Sequence, residues 1–190
     1  MSKYLHGLIF LLLYQTTTAQ ENPVNLNHPE IGIQVQVYPA GIIPTLNAVI
    51  PQSKSLSWNF RLGLNITDRK DFSPVNDHEE GMGYGGSIGL QKHFVLGKGE
   101  IRTGLSCDVW NMKIDWENDK DTPLFTNGTS TTLVVQPWIH GGYFVHPNKT
   151  KLSLGAGIGL GREINVKTSG REVAQGWMGS LFLGVGYTLR

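Results

Sequence analysis

The chain has 190 residues, 16 basic and 15 acidic side chains, and a formal net charge of +1 at neutral pH. This length suits a single domain, and the near-neutral balance excludes the concentrated positive charge of a nucleic-acid-binding protein. The sequence contains one cysteine, Cys107, which excludes an intrachain disulfide framework.

The first residues have the three parts of a secretory signal peptide. Lys3 supplies a positive charge, residues 7–14 form an apolar run, and Ala19 offers a small side chain at the expected cleavage point. A membrane anchor is the alternative, but the run is shorter than the ~20 residues that a spanning helix needs. We therefore predict a signal peptide at 1–19, followed by a short polar periplasmic lead at 20–29.

Beyond the signal peptide, apolar residues recur at every second position in eight stretches of the sequence. This period indicates β-strands with two different faces. The predicted strands are 31–38, 42–50, 56–67, 82–95, 100–116, 131–145, 152–166 and 176–190. The second stretch contains Pro44, and proline within a strand favours a strand end or a bulge.

The stretch 152–166 has large apolar side chains on one face and a row of glycines on the other. The apolar face consists of Leu152, Leu154, Ala156, Ile158, Leu160, Ile164 and Val166, interrupted by Arg162, and the glycines are Gly155, Gly157, Gly159 and Gly161. A tilted transmembrane strand needs about 9–11 residues, so the length allows lipid against the apolar face. Glycines on the lumen side suit a narrow barrel with little room inside.

The connections between the predicted strands alternate between long polar segments and short turns, after an unusually short first turn at 39–41. The long segments are 68–80, 117–128 and 167–175. Transmembrane barrels with an even number of strands have short periplasmic turns and longer outer loops. The sequence therefore predicts an all-β fold, an eight-stranded antiparallel up-and-down transmembrane β-barrel formed by residues 30–190.

Aromatic residues near the strand ends predict two interfacial girdles, as such barrels have. The periplasmic set is Phe60, Phe94, Tyr143, Phe144 and Tyr187, and the outer set is Tyr38, Tyr84, Trp116 and Trp177. Aromatic residues also favour strand ends in soluble sheets, so the pattern supports a membrane barrel without requiring one.

Charged and amide side chains share the strand faces opposite the apolar ones. The predicted lumen network consists of Arg61, Gln91, Arg102, Asp108, Gln136, His140 and Glu163. A buried charge needs a partner because an unpaired one is costly, and an eight-stranded barrel is just wide enough for its own side chains. We therefore interpret these residues as a structural plug of ion pairs and hydrogen bonds. A selective polar path for a small solute is the alternative.

Acidic residues alternate at the start of the second long segment, at Asp115, Glu117, Asp119 and Asp121. A calcium-binding EF-hand loop needs glycine at its sixth position and a carboxylate at its twelfth. Lys120 and Thr126 occupy those positions here, so we predict a solvated charged loop and no metal site. Loose binding of divalent ions by the carboxylates is the alternative.

The alternating strands and the closing stretch LFLGVGYTLR, together with a signal peptide that ends at Ala19-Gln20, resemble the small outer-membrane β-barrels of Gram-negative bacteria. The likeness is to Bacteroidota barrels and, more broadly, to the OmpA, OmpX and OmpW type, and it covers about residues 30–190. It implies a location in the cell outer membrane, contact with outer-membrane lipids, and folding by the outer-membrane insertion machinery.

Some small outer-membrane barrels modify lipids, so a catalytic centre is one hypothesis. His78 lies close in sequence to Ser73, Asp77 and Glu79, but proximity in a loop does not make a base and nucleophile pair. No histidine is followed two residues later by serine, the spacing expected of a deacylase. No helix follows the glycines of 155–161, so they do not form a phosphate-binding loop. We predict no catalytic or cofactor-binding residues.

We therefore expect a monomeric, non-enzymatic outer-membrane barrel with a structural or surface-interaction role. The loops 68–80, 117–128 and 167–175 are the expected functional face, since binding usually resides in loops on a rigid scaffold. The alternatives are a narrow channel for small solutes, a lipid-modifying enzyme, and a soluble periplasmic barrel of lipocalin-like architecture with an apolar interior and a charged exterior.

Overall fold

The computed structural model describes residues 28–70, 73, 75–120, 122–147 and 150–189. The predicted signal peptide lies outside these residues, as does the predicted lead apart from His28 and Pro29. The strands are β1 (Glu30–Tyr38), β2 (Gly41–Pro51), β3 (Leu56–Lys70), β4 (His78–Leu96), β5 (Gly99–Asn118), β6 (Thr126–Val145), β7 (Leu152–Ser169) and β8 (Gly176–Thr188). Within the described ranges, no helix is long and apolar enough to cross a membrane.

The eight strands form one closed antiparallel barrel in which each strand pairs with its neighbours in sequence. The ring closes where β1 pairs with β8, from Glu30–Thr188 to Val37–Leu181. The predicted eight-stranded up-and-down barrel is therefore confirmed. We call the end where β1 begins and β8 ends the inner end, and the opposite end the outer end.

The exterior of the barrel is apolar, and many charged and amide side chains are buried inside it, which is not the arrangement of a soluble barrel with a wholly apolar core. Leu62 and Leu183 point outwards and are 70% and 69% exposed, whereas Arg61 and Asp108 point inwards and are buried. The apolar face of β7 also points outwards, with Leu152, Leu154, Ile158 and Leu160 exposed. This arrangement contradicts the lipocalin-like alternative, which requires an apolar interior and a charged exterior.

The glycines of β7 face the lumen, where bulky aromatic rings from β6 take the space. Gly155 pairs with Phe144, and a Cβ atom at Gly155 would lie within 2.6 Å of three Phe144 ring atoms. Gly161 pairs with Trp138, whose indole would be as close. A glycine opposite each ring lets the aromatic side chain lie flat across the neighbouring strand. The rings take up the space that the glycines leave, which explains why glycines accompany a narrow lumen.

The central strands are longer than predicted, and the outer connections are correspondingly shorter. β3 continues to Lys70 and β4 begins at His78, so both ends of the predicted loop 68–80 are strand and the connection is reduced to 71–77. The predicted loops 117–128 and 167–175 shrink in the same way to 119–125 and 170–175. The prediction was wrong because it took charge as a sign of a loop. In these hairpins the charged residues alternate between the outer surface and the lumen, as strand residues do.

Pro44 does not end or bulge its strand, contrary to the prediction. β2 runs through it, with Pro44 paired to Val35 of β1. Pairing with β3 is interrupted at Pro44 and resumes in the same register at Thr45–Gly63. A missing amide N–H removes one ladder hydrogen bond but leaves the register intact.

The predicted girdles are only partly formed. Phe60, Phe94, Tyr143 and Tyr187 point outwards near the inner end, and Tyr84 and Trp177 do so near the outer end. Tyr38 and Phe144 are instead buried in the lumen, and Trp116 lies against Gly128 on the lumen face of β5. These three residues are on the inward face of their strands, where aromatic rings fill space beside small residues.

Candidate functional site

The seven predicted lumen residues all lie on inward faces of their strands, but they do not form one network. Six are buried and His140 is half-buried. They fall into an inner ionic cluster, a middle pair of contacts and an outer ionic cluster. The inner cluster includes Arg102; the middle contacts include Arg61, Asp108, Gln91 and His140; the outer cluster includes Gln136 and Glu163.

The inner cluster closes the inner end of the lumen around Arg102. Its guanidinium donates to Glu30 at 2.8 and 2.9 Å and to Glu100 at 2.8 Å. Glu100 also contacts His93 at 2.7 Å, and the Phe144 ring lies 4.0 Å from the guanidinium carbon. Two carboxylates on one guanidinium satisfy most of its donors, so the buried charge is paired.

The middle of the lumen is bridged by Arg61. Its guanidinium donates to Asp108 at 2.6 Å and to Gln36 at 3.0 Å. Gln91 and His140 form a separate contact at 3.1 Å. Arg61 and Asp108 therefore form an ion pair, and Gln91 and His140 bond to one another and not to that pair.

A small polar cavity lies between the inner cluster and the Arg61 bridge. The cavity volume is about 20 Å³, enough for one or two water molecules. Three buried oxygen atoms in its wall have no hydrogen-bond partner among the described residues: Asn59 Oδ1, Gln91 Oε1 and Ser106 Oγ. Because all three accept hydrogen bonds, they suit a molecule that donates them, as water does.

The outer cluster joins three strands through Arg69. Its guanidinium donates to Glu79 at 3.0 Å and to Glu163 at 2.5 Å. Gln136 donates to the other oxygen of Glu163 at 3.0 Å and accepts from the Trp110 indole at 3.0 Å. The cluster thus ties β3, β4 and β7 together and continues to the side chains of β5 and β6.

Residues 170–175, the connection between β7 and β8, fold back over the outer mouth, and we call them the outer strap. Val173 and Ala174 are buried. The Ala174 amide N–H donates to Glu79 at 2.9 Å, and its carbonyl accepts from Arg69 at 2.8 Å. The strap is therefore bonded to the outer cluster through its own backbone. This differs from the prediction of a free surface loop at 167–175.

Below the strap, apolar side chains fill the outer half of the lumen. The buried members of this apolar layer are Ile43, Trp110, Met112, Ile114, Val134, Trp138 and Met178, with Tyr38, and Val173 of the strap packs against them. The lumen is therefore closed by charged side chains at the inner end, and by an apolar layer and the strap at the outer end.

Several lumen residues were missed by the sequence prediction. Glu30, His93 and Glu100 belong to the inner cluster, and Arg69 and Glu79 to the outer cluster. Glu100 has the same parity as Arg102, two residues away, which is a usable signal. Arg69 and Glu79 were assigned to a loop, so their parity was not considered.

The groups of the catalytic hypothesis are not assembled into a catalytic pair. His78 points outwards and contacts Asp68 at 2.9 Å, while the next residue, Glu79, points into the lumen. Ser73 donates to Glu79 at 2.9 Å. Among the described residues, no proton path links the His78 imidazole to the Ser73 hydroxyl across these opposite faces of the strand.

The acidic stretch is dispersed along its hairpin. Asp115 accepts from Thr129, and Glu117 lies 3.1 Å from the Lys120 ammonium. Asp121 lies outside the described residues. In the part of the chain that the structure describes, no three histidine, cysteine, aspartate or glutamate side chains are placed to hold a metal ion.

Comparison with known proteins relates this barrel to outer-membrane proteins by structure. A major outer membrane protein from Thermus thermophilus superposes with a TM-score of 0.61 at 14% identity, over 85% of this chain and 98% of that one. Neisserial surface protein A superposes with a TM-score of 0.50 at 14% identity, over 85% of this chain and 95% of that one. No protein-family model matches the sequence, and no curated protein sequence is significantly similar.

The likeness confirms the fold that the sequence predicted, that of the small outer-membrane β-barrels. The predicted location in the outer membrane agrees with both neighbours and with the apolar exterior of this barrel. At 14% identity the likeness shows the fold alone. The role of this protein is inferred from the chemistry of its own residues.

Proposed function

We propose that this protein is a closed, monomeric, non-enzymatic outer-membrane β-barrel with a structural or surface-interaction role. The observation that supports a closed barrel most strongly is the filling of the lumen from the inner cluster to the outer strap. A ring of eight strands has room inside for little more than its own side chains. Outer-membrane lipids would cover the apolar exterior, after assembly by the insertion machinery.

The surface role is supported by the hairpins at the outer end. β5 and β6 are the longest strands, and their hairpin extends beyond the outward apolar side chains. At its tip Leu124 is 73% exposed, and Phe125 is also exposed. Apolar side chains at an exposed tip are suited to contact another surface, because removing apolar surface from water lowers the free energy. The strap is held down, so the hairpins β3–β4 and β5–β6 form the more accessible face.

A narrow channel is the second candidate, because the small cavity provides a polar space in the middle of the lumen. Conduction would require movement at both ends, because Arg102 is paired with two carboxylates and Trp110 is completely buried. These closures favour the closed barrel as the resting state.

Planar-bilayer recording of the purified, folded protein tests the closed state. We expect no discrete conductance steps above the bilayer baseline, because side chains fill the lumen from the inner cluster to the apolar layer and the outer strap. Reproducible steps in the wild-type protein would contradict the proposal. Two variants of β5 would then identify the path. The channel is established if Ser106→Leu, which fills the cavity, reduces the steps and Thr103→Leu, on the outward face of the same strand, does not.

A further inference from the structure

Arg162 is a charged residue on the outward face of β7, where its neighbours are apolar. Leu160 and Ile164 flank it on the same face and are exposed. On β6, Val135 pairs with Ile164 and Ile139 pairs with Leu160. On β8, Arg162 pairs directly with Trp177, which is 71% exposed. A guanidinium is thus surrounded by side chains suited to contact lipid.

Arg162 has no carboxylate to neutralise it among the residues that the structure describes. The guanidinium groups of the lumen are each bonded to Asp or Glu at 2.5–3.0 Å. In the described part of the chain, the charged group of Arg162 instead lies over the Trp177 ring, 5.9 Å from its guanidinium carbon. A charge on the lipid-facing surface of a barrel is destabilising, less so near an interface, and an anion from outside the protein would offset that cost.

The position of Arg162 indicates which anion would reach it. Trp177 is the second residue of β8, at its outer end, where an interfacial aromatic marks the level of the lipid headgroups. The planar guanidinium matches phosphate with two parallel N–H···O bonds. The apolar side chains around it would contact the acyl chains of the same lipid.

We propose that Arg162, positioned by Trp177, binds the phosphate group of a phosphorylated, multiply acylated glycolipid of the outer leaflet. This rests on the proposed location in the outer membrane with the outer end facing outwards. Arg162 supplies the charge and the forked hydrogen bonds, Trp177 holds the guanidinium at headgroup level, and Leu160 and Ile164 take the acyl chains. The barrel then holds one lipid at a fixed place on its circumference.

Native mass spectrometry of the full mature chain, folded in detergent, tests this. The probes are bis-phosphorylated lipid A and its dephosphorylated form. We expect the wild-type protein to retain the phosphorylated probe at least about tenfold more tightly, as expected for a charge-assisted hydrogen bond. Arg162→Gln removes that preference, and Arg162→Lys keeps part of it. Equal retention of the two probes by the wild-type protein would overturn the proposal.

Lys92→Gln is the matched control, because Lys92 also points outwards beside an aromatic ring. Its ammonium lies 5.2 Å from the Phe94 ring, near the inner end of β4. We expect Lys92→Gln to leave the phosphate preference unchanged. An equal loss in both variants would indicate general attraction of anions and overturn the site. Displacement of the lipid by millimolar inorganic phosphate would likewise show a site for a free anion.

Electrophoresis of each sample without boiling separates this proposal from the one on which it rests. A folded barrel migrates differently before and after heating. If the band shifts but the phosphate preference is absent, the lipid site is disproved and the outer-membrane barrel is not. If the band shifts in no sample, the chain is not a membrane barrel, and the lipid site is disproved as well.

Discussion

Replacing Arg102 with methionine is expected to lower the free energy of unfolding by about 3–5 kcal/mol, the usual cost of breaking a buried ion pair. Arg102 is 4% exposed, and its removal leaves Glu30 and Glu100 buried without their cation. Both carboxylates then lose charge-assisted hydrogen bonds and face one another at the inner end of the lumen. Urea unfolding of the protein, refolded into phospholipid vesicles, measures the change.

Lys92→Met is the control for this prediction, since it also removes one cation but from an exposed outward position. Its effect should stay within about 0.5 kcal/mol, as for most surface substitutions. Adding Glu30→Gln and Glu100→Gln to Arg102→Met should recover part of the loss, because neutral side chains cost less to bury unpaired. Equal effects of Arg102→Met and Lys92→Met would show that the inner cluster contributes nothing to stability.

Replacing Glu79 with alanine is expected to release the outer strap. Glu79 is completely buried and accepts hydrogen bonds from Arg69, Ser73, Asn76 and the Ala174 amide. Loss of such bonds to a charged group costs about 1.5–3 kcal/mol each. Tryptic cleavage after Arg171, an exposed residue of the strap, should therefore become at least about tenfold faster, because proteolysis follows the population of the open form.

Glu80→Ala provides a matched control one residue away. Glu80 is exposed and points outwards, so its removal should leave the rate of cleavage after Arg171 unchanged. A strap that is cleaved equally fast in both variants would show that Glu79 does not hold it. A strap cleaved rapidly in the wild-type protein would show that it does not close the mouth.

Alternation of apolar and polar residues predicted the eight strands and their apolar faces, because side chains alternate across a strand whatever the strand packs against. The long and short connections between the strands then predicted the up-and-down barrel. In β7 the pattern even indicated the narrow lumen, through glycines that lie opposite Phe144 and Trp138.

The pairing inside the lumen could not be predicted in the same way, because it depends on the register of all eight strands. Glu30 and Arg102 are 72 residues apart and meet across the closed ring. The burial of Val173 and Ala174 had no sequence signal either, since residues 170–175 show no periodicity. Arg69 and Glu79 had a signal in their parity, but their charge favoured a loop.

Separation of the inner and outer membranes from cells that express the protein, followed by electrophoresis with and without boiling, tests whether this chain is a closed barrel in the outer membrane. We expect the protein in the outer-membrane fraction as a band that shifts on heating, because a closed barrel resists detergent until it is heated. Recovery as a soluble periplasmic protein without a heat-dependent shift would rule out a membrane barrel, since Leu62, Leu183 and Ile158 would then be exposed to water rather than lipid.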